Sequence, residues 1–282
     1  MAKILSKAML APGLVQMQIE APRVAHKAMP GQFIILRPTP DGERIPLTIA
    51  NADVGEGVIT IIFQEVGAST KMLSQLPVGD EVADFAGPLG QPSHFGDAKR
   101  VLCIGGGVGT AVLYPQVQHL YKAGIGVDVI IGARNKELMI MEKELGAMCD
   151  TLYLTTDDGS YMRKGFVTDV LKELIDKGEK YDLVVAIGPP VMMRAVVNIT
   201  KPLDIKTLVS LNPIMVDGTG MCGCCRVTVG GQTKYACVDG PDFDGFEVDF
   251  DEMILRSRIY LDEEQALLNK HIHAHEGGAQ HG

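Results

Sequence analysis

Four cysteines lie close together in the last quarter of the sequence, at positions 222, 224, 225 and 237. Three of them join an aspartate in the pattern Asp217-x4-Cys222-x2-Cys225-x11-Cys237. Plant-type [2Fe–2S] sites use the spacing C-x4-C-x2-C…C, which this pattern matches with aspartate in the first position. A carboxylate can ligate iron through oxygen, although thiolate is the softer and more usual donor. The spacing predicts a [2Fe–2S] site held by Asp217, Cys222, Cys225 and Cys237, with Cys224 left as a non-ligand.

The surroundings of these residues bear on the kind of metal they hold. The loop DGTGM at 217–221 is glycine-rich, so its backbone N–H groups can point at cluster sulfurs. Zinc is the alternative, but structural zinc typically uses two C-x2-C pairs, and a single cysteine follows the first pair here. A disulfide framework is a weaker interpretation, because such frameworks spread their cysteines and belong to oxidising compartments.

Glycine-rich turns mark a second kind of chemistry. The run Gly105-Gly106-Gly107-Val108-Gly109-Thr110 follows an apolar segment and opens a predicted helix. Glycines let a pyrophosphate approach the backbone, and a helix N-terminus offers free N–H donors. The spacing departs from G-x-G-x-x-G, so a tight turn is the alternative. A second junction, Ile187–Pro190, also places glycine where ligands of open α/β sheets bind.

Three further segments carry weaker signals. Residues 67–71 (GASTK) put backbone N–H groups, two hydroxyls and a lysine at a helix start, which suits an anion; an ordinary helix N-cap explains them equally well. Asp157–Ser160 forms a polar loop that either shapes a nucleotide pocket or is a plain turn. Arg134 stands where NAD enzymes often carry an acid, which favours NADP(H) over NAD(H).

The elements that must position these residues fall into two patterns. Up to residue 98, short apolar runs alternate with Pro and Gly, which predicts a small β barrel or sandwich. From residue 99, apolar strands alternate with helices, including one predicted over 136–148, which indicates a doubly wound parallel sheet. We therefore expect a β-barrel domain (1–98), an α/β domain (99–211), a small [2Fe–2S] module (212–250), and a C-terminal helix with its tail (251–282).

The composition and the hydropathy of the sequence argue against nucleic-acid-binding, membrane-spanning and secreted proteins. The 282 residues include 26 basic and 35 acidic side chains, giving a net charge of −9, which argues against binding to nucleic acid. No apolar run approaches the roughly 18–20 residues of a membrane span. The N-terminus lacks the pattern of a signal peptide. These features predict a cytoplasmic protein that binds neither nucleic acid nor membrane.

In their order and their motifs, these parts resemble the ferredoxin–NADP reductase-like flavoprotein superfamily. Within it, the sequence is similar to the branch of dihydroorotate dehydrogenase electron transfer subunits, and most of all to the small subunits of NADH-dependent reduced ferredoxin:NADP oxidoreductases. Six segments spanning nearly the whole chain carry the resemblance: RIPLTIA at 44–50, GASTKML at 67–73, GGGVGTAVLYP at 105–115, GARNKEL at 132–138, IGPPVMM at 187–193, and 217–237.

The resemblance implies a role for each motif. Pro46, Leu47 and Thr48 would line the flavin ring of FAD, with the Thr48 hydroxyl near its reactive nitrogen as the catalytic group. Gly67, Ser69 and Thr70 would hold the FAD pyrophosphate. The nicotinamide dinucleotide would be bound by Gly105, Gly106, Gly107, Gly109, Thr110, Arg134, Gly188 and Pro189. The superfamily usually has an arginine at the position of Ile45, and here Arg44 stands one residue earlier. The single aspartate ligand fits the ferredoxin:NADP oxidoreductase branch.

The resemblance also implies a reaction and a partner. NAD(H) would exchange a hydride with FAD, and single electrons would pass through the [2Fe–2S] cluster to or from a larger iron–sulfur flavoprotein subunit of a heterodimer. In that family the larger subunit carries out electron bifurcation. An electron transfer subunit of dihydroorotate dehydrogenase or of a sulfide dehydrogenase is the alternative. A non-catalytic zinc-binding regulatory protein is the more remote one.

Overall fold

An antiparallel sheet of seven strands, curled into a nearly closed barrel, forms the first part of the computed structural model. The strand order is β6-β1-β2-β5-β4-β3-β7. Alternate side chains of these strands point inward, so that Ile4, Met17, Ile19 and Ile61 are fully buried in one core. The elements are β1 (Ala2–Ala11), β2 (Leu14–Glu20), α1 (Pro22–Ala25), β3 (Phe33–Arg37), β4 (Ile45–Asp53), β5 (Val58–Gln64), α2 (Ala68–Gln75), β6 (Glu81–Val82) and β7 (Asp84–Leu89).

A second sheet of seven strands follows, in the order β11-β10-β9-β8-β12-β13-β16. All its pairings are parallel except the last, which adds β16 antiparallel at one edge. Its elements are β8 (Arg100–Gly106), α3 (Gly109–Lys122), β9 (Gly126–Ala133), α4 (Glu142–Gly146), β10 (Thr151–Thr156), β11 (Arg163–Lys164), α5 (Val167–Asp176), β12 (Leu183–Ile187), α6 (Pro190–Thr200), β13 (Thr207–Ser210) and β16 (Asp242–Asp244).

The central strand β8 is buried on both faces, which explains its uninterrupted apolar sequence. Val101 and Cys103 pack with residues of α3, and Leu102 and Ile104 pack with residues of α5 and α6 on the opposite face. From β8 the chain builds outward through β9 and β10 on one side, then returns to β12 and β13 on the other. The carboxyl ends of β8 and β12 therefore flank the point where strand order reverses, which is where open α/β sheets bind ligands.

The cysteine-rich region is attached to both sheets. It contains the hairpin β14 (Arg226–Val229) and β15 (Gln232–Tyr235), and β16 extends the parallel sheet. Two helices follow, α7 (Phe250–Arg256) and α8 (Leu261–Gly278), where the sequence predicted one. The structure describes residues 2–278 and side chains up to residue 269, so the tail beyond 278 lies outside the described residues. Within them, no helix is long and apolar enough to cross a membrane.

The helix predicted over 136–148 is wrong. The segment forms a short 3-10 turn at Lys136–Leu138, an irregular stretch, and the five-residue α4. Met141 adopts a left-handed backbone with φ of 58°, which interrupts a helix. Ile140 is buried in a small core with Ala11, Leu14 and Ala111 instead, because packing between the two sheets outweighs local helix preference.

A buried polar cluster at the start of β8 offers a test of the stability of this fold. Asp128, 2% exposed, accepts hydrogen bonds from the Tyr181 hydroxyl at 2.8 Å and from Arg100 Nη2 at 3.0 Å. Tyr181→Phe leaves a buried carboxylate with one donor fewer, and we expect it to cost about 1–3 kcal/mol. A scan of thermal unfolding should show a midpoint lowered by a few degrees. Tyr121→Phe, on the exposed face of α3, is the control; equal midpoints in both variants would contradict the expectation.

Candidate functional site

A cleft of about 790 Å³ lies between the barrel and the carboxyl ends of the parallel strands. Its walls come from β4 of the barrel and from the loops that follow β8, β9 and β12. Eight of the residues predicted from the sequence line it: Pro46, Thr48, Gly106, Gly107, Gly109, Arg134, Gly188 and Pro189. The fold thus brings the predicted flavin segment and the two predicted nucleotide turns into one cavity.

The glycines at the start of α3 serve two different purposes. Gly107 lines the cleft with φ of 57°, and a Cβ added there would meet nothing within 4 Å, so a pyrophosphate can approach its backbone directly. Gly109 packs against β12, because an added Cβ would lie 2.4 Å from the Ile187 carbonyl oxygen. The open backbone at Gly107 therefore has room for a phosphate, and Gly109 allows the turn after β8 to pack closely against the turn after β12.

Gly105 and Thr110 lie beneath this surface. Gly105 is buried near the end of β8, and a Cβ there would stand 3.0 Å from the Thr110 Oγ1 atom. The Thr110 side chain is fully buried, and its hydroxyl has no hydrogen-bond partner among the described residues. Both residues support the turn by packing against each other in the protein interior, and neither lines the cleft.

Leu47 and the segment 67–70 also stand outside the cleft lining. Leu47 faces the barrel core, opposite to its neighbours Pro46 and Thr48. The Thr70 hydroxyl accepts a hydrogen bond from the Gly67 N–H at 3.1 Å and donates to the Gly67 carbonyl at 3.0 Å. Ser69, 5% exposed, has Glu43 Oε2 as its partner at 3.4 Å. The Thr70 hydroxyl thus caps α2 and the Ser69 hydroxyl is paired with Glu43, so their role at an FAD pyrophosphate stays a prediction.

The four predicted cluster ligands lie in two pairs. The Sγ atoms of Cys225 and Cys237, both buried, are 3.1 Å apart, which is much longer than a disulfide bond of about 2.05 Å. Burial, together with hydrogen bonding to Cys225, raises the pKa of the Cys237 thiol to about 12. A thiol of this kind becomes thiolate when a metal binds. Two adjacent sulfurs in an apolar setting suit a shared metal ion.

Cys222 is exposed and Asp217 is half-buried; the Cys222 thiol contacts that of Cys224 and has Asp217 as a close neighbour. Hydrogen bonds from the backbone of Cys224, and more weakly from that of Asp217, lower the pKa of the Cys222 thiol. Among the described side chains, which extend to residue 269, no three of His, Cys, Asp or Glu surround one point in a way that could hold a metal ion. Two pairs of donors fit a two-iron cluster better than a single zinc, which needs four ligands around one ion.

The Asp217 carboxylate is arranged so that one oxygen remains available. Its Oδ2 atom accepts hydrogen bonds from the Thr219 hydroxyl at 2.7 Å, the Thr219 N–H at 2.9 Å and the Met221 N–H at 3.1 Å. Those bonds, that from the Thr219 hydroxyl above all, lower the pKa of the Asp217 carboxyl. The loop therefore holds an ionised carboxylate by one oxygen and leaves Oδ1 to act as a ligand.

The cleft also contains residues that the sequence did not single out. Phe33 lies opposite Thr48 in the β3–β4 pairing, and Asn212 follows β13. Asp157, whose loop carried an ambiguous signal, lines the cleft next to Arg134, and its N–H donates to the Ala133 carbonyl at 3.0 Å. Only Asp157 had a signal in the sequence, because the other two are ordinary strand and loop residues until the fold brings them together.

Comparisons with known proteins agree with this geometry. A model of the iron–sulfur cluster-binding domain of dihydroorotate dehydrogenase B matches residues 212–249, and a model of an oxidoreductase NAD-binding domain matches residues 103–198. The dihydroorotate dehydrogenase B (NAD(+)) electron transfer subunit homolog of Thermotoga maritima is 44% identical, covering 93% of each chain. The corresponding electron transfer subunit of Desulforamulus reducens is 33% identical, covering 88% of this chain and 97% of its own.

A solved structure gives the same result in three dimensions. A chain of an NADH-dependent reduced ferredoxin-NADP oxidoreductase, studied for flavin-based electron bifurcation, superposes with a TM-score of 0.91 at 42% identity, covering 96% of this chain and 98% of its own. These matches confirm the predicted fold class, the NAD-binding domain and the iron–sulfur-binding module. The chain belongs to the family of dihydroorotate dehydrogenase B electron transfer subunits.

Proposed function

We propose that this chain is the iron–sulfur flavoprotein subunit of an electron-bifurcating ferredoxin:NADP oxidoreductase complex, in which it exchanges a hydride with NAD(H) and passes single electrons to or from a larger subunit. The observation that carries the proposal is the shared cleft, in which Thr48 of the barrel faces the nucleotide turns at Gly107 and Gly188. When bound, FAD and a [2Fe–2S] cluster convert two-electron hydride chemistry into one-electron transfer.

Each group of residues has its own task in this function. The Gly107 backbone and the N-terminus of α3 bind the dinucleotide phosphates, while Pro46 and Thr48 orient the flavin ring. Asp157 and Arg134 both line the cleft, and backbone hydrogen bonds join their two segments; the Asp157 carboxylate can accept a hydrogen bond from a ribose hydroxyl and repel a 2′-phosphate. This acid favours NAD(H) over NADP(H), contrary to the preference that Arg134 alone indicates.

The exposed side of the cysteine loop suits electron exit to a partner. Cys222 is exposed, its neighbour Met221 is 87% exposed, and Val238 beyond Cys237 is 38% exposed. An apolar rim around a cluster ligand is a typical docking surface. We propose that a larger iron–sulfur flavoprotein subunit covers it, forming a heterodimer.

Anaerobic purification followed by cofactor analysis tests this function. We expect a yellow-brown protein with one FAD and two irons per chain, whose visible bands bleach on addition of NADH. A colourless protein that contains zinc would contradict the proposal. Copurification with a dihydroorotate-oxidising subunit, as the names of the Thermotoga and Desulforamulus relatives suggest, would favour the alternative function in dihydroorotate dehydrogenase. Copurification with a sulfide-oxidising subunit would favour the alternative function in a sulfide dehydrogenase.

Exchange of the aspartate ligand gives a sharper test of the site. We expect Asp217→Cys to keep two irons per chain, because it restores the four-cysteine pattern, and to change the EPR signal of the reduced cluster together with its midpoint potential. A shift of about 59 mV corresponds to a tenfold change in the one-electron equilibrium. Potentiometric titration followed by EPR measures both properties. An unchanged signal would exclude Asp217 as a ligand.

A further inference from the structure

Arg44 contacts the cysteine loop rather than the cleft. Its Nε atom donates a hydrogen bond to the carbonyl of Val216 at 2.8 Å, across 172 positions of sequence. Its Nη1 atom lies 3.5 Å from Asp84 Oδ2, which also forms an ion pair with Arg37 Nε at 2.7 Å. Arg44 is not among the residues that line the cleft. Its hydrogen-bonding groups are directed to the cysteine loop and to Asp84.

The hydrogen bond between Arg44 and Val216 connects the flavin-binding strand to the cysteine loop. Arg44 directly precedes β4, the strand that carries Pro46 and Thr48 into the cleft, and Val216 directly precedes Asp217. One guanidinium therefore joins the strand under the flavin site to the first cluster ligand. Because a hydrogen bond from a charged donor is stronger than one between neutral groups, this bond stabilises the position of the cysteine loop on the barrel.

The loop beyond Asp217 is seated on the same barrel. Gly218 has φ of 85°, and a Cβ added there would lie 2.7 Å from Ile35 Cδ1 and 2.8 Å from Leu89 Cδ1. The left-handed backbone favours glycine, and a side chain at this position would also require Ile35 and Leu89 to move. The Arg44 bond and the Gly218 contact fix the loop on both sides of Asp217.

The charge of Arg44 lies close to the predicted cluster. Its guanidinium is hydrogen-bonded to the carbonyl of Val216, the residue directly before the predicted ligand Asp217. A cluster becomes more negative by one charge when it is reduced, so a nearby cation favours the reduced form. The Arg44 side chain is 30% exposed, and salt will therefore weaken this effect in part.

We propose that Arg44 is a positioning residue of the cluster, which holds the Asp217 loop against the flavin-binding barrel and raises the reduction potential of the cluster through its positive charge. This inference rests on the proposed function, because it assumes a cluster at Asp217, Cys222, Cys225 and Cys237. It assigns to Arg44 a role distinct from a contact with the FAD phosphates.

The test compares three variants by EPR-monitored titration of the cluster, spectral titration of the flavin, and the rate of iron loss to a chelator. Arg44→Gln removes the charge; Arg44→Lys keeps it but replaces the guanidinium and its Nε–H. Arg37→Gln, which removes the other cationic partner of Asp84 without touching the loop, is the matched control. A thermal scan of each protein accompanies the titrations.

We expect Arg44→Gln to lower the midpoint potential of the cluster by about 59 mV, a tenfold change in its reduction equilibrium, and to leave FAD content and flavin potential unchanged. Because charges are screened by salt, the shift should shrink in concentrated KCl, which a purely structural role would not produce. Arg44→Lys should keep most of the potential but lose iron faster, and Arg37→Gln should match the unaltered protein.

Either of two results from Arg44→Gln would overturn the inference. One is an Arg44→Gln cluster with unaltered potential and iron retention; the other is loss of FAD from Arg44→Gln with the cluster unaffected, which would return Arg44 to the flavin phosphates. Should Arg44→Gln not fold, an Arg44→Lys protein that retains iron as well as the unaltered protein would equally overturn it. Absence of flavin and iron from the unaltered protein would instead contradict the proposed function itself.

Discussion

Replacing Cys225 with serine is expected to remove most of the iron from the protein while leaving FAD bound. Cys225 is 1% exposed and its sulfur lies 3.1 Å from that of Cys237, so the two form the buried half of the proposed ligand set. Serine has a similar size but its hydroxyl is a harder and much less acidic donor, which iron–sulfur clusters use poorly. We expect iron to fall from two per chain to a small fraction of that value.

The neighbouring cysteine provides the matched control. Cys224 is one position away and half-buried. Its backbone carbonyl accepts a hydrogen bond from Arg256 Nη2 at 3.3 Å, a contact that does not depend on the thiol. Cys224→Ser should therefore keep the iron content and the EPR signal. Iron analysis, flavin analysis and EPR of the reduced proteins measure the outcome. Iron retained in Cys225→Ser but lost from Cys224→Ser would mean that the ligands are assigned in the wrong order.

The iron–sulfur-binding module was predictable because its sequence signal is local. Asp217, Cys222 and Cys225 lie within nine consecutive residues, and their spacing alone suggests the cluster type. The sequence could not show that two of the four predicted ligands, Cys225 and Cys237, are buried side by side, since that depends on where Cys237 returns after the β14–β15 hairpin. Nor could it show the bond between Arg44 and Val216, which joins residues 172 positions apart.

The fold shows the same division between local and distant information. Strands β8 and β12 were predictable from their uninterrupted apolar sequences, because both faces of a parallel sheet are covered. Strand β1 was not predicted, because exposed Leu5, Met9 and Leu10 obscure its alternation. Strand β16 is only three residues long and gains its stability from pairing with β13. In both cases the partner strand, rather than the segment itself, determines the structure.

The segment 67–70 illustrates a signal that local sequence cannot resolve. Hydroxyls at a helix start serve equally well as caps and as anion ligands, because both uses depend on the same free N–H groups. The structure places the Thr70 hydroxyl in a reciprocal capping arrangement with Gly67. By contrast, Gly109 gains its role from β12, a strand more than 70 residues away.

Replacing Gly109 with alanine is expected to weaken NAD+ binding by at least about tenfold, or ~1.4 kcal/mol. Alanine is a better helix former than glycine, so the helix α3 itself should not suffer. The added methyl group would stand 2.4 Å from the Ile187 carbonyl oxygen and 2.8 Å from Gly188 Cα, both of which are backbone atoms that cannot rotate away. The first turn of α3 and the turn at Gly188 must therefore separate, at a cost typical of overpacking, about 1–3 kcal/mol.

Comparison with a second glycine variant separates binding from stability. Gly124 follows α3 at a distance from the cleft, with φ of 70° and open space around its Cβ position. Gly124→Ala therefore strains the backbone by about 1–2 kcal/mol without moving either nucleotide turn. Calorimetric titration with NAD+ and a thermal scan should show a lower unfolding midpoint in both variants but weaker binding only in Gly109→Ala. Equal affinities in the two variants would mean that the Gly109–Ile187 contact does not shape the nucleotide site, and that phosphate binding depends on the open backbone at Gly107 alone.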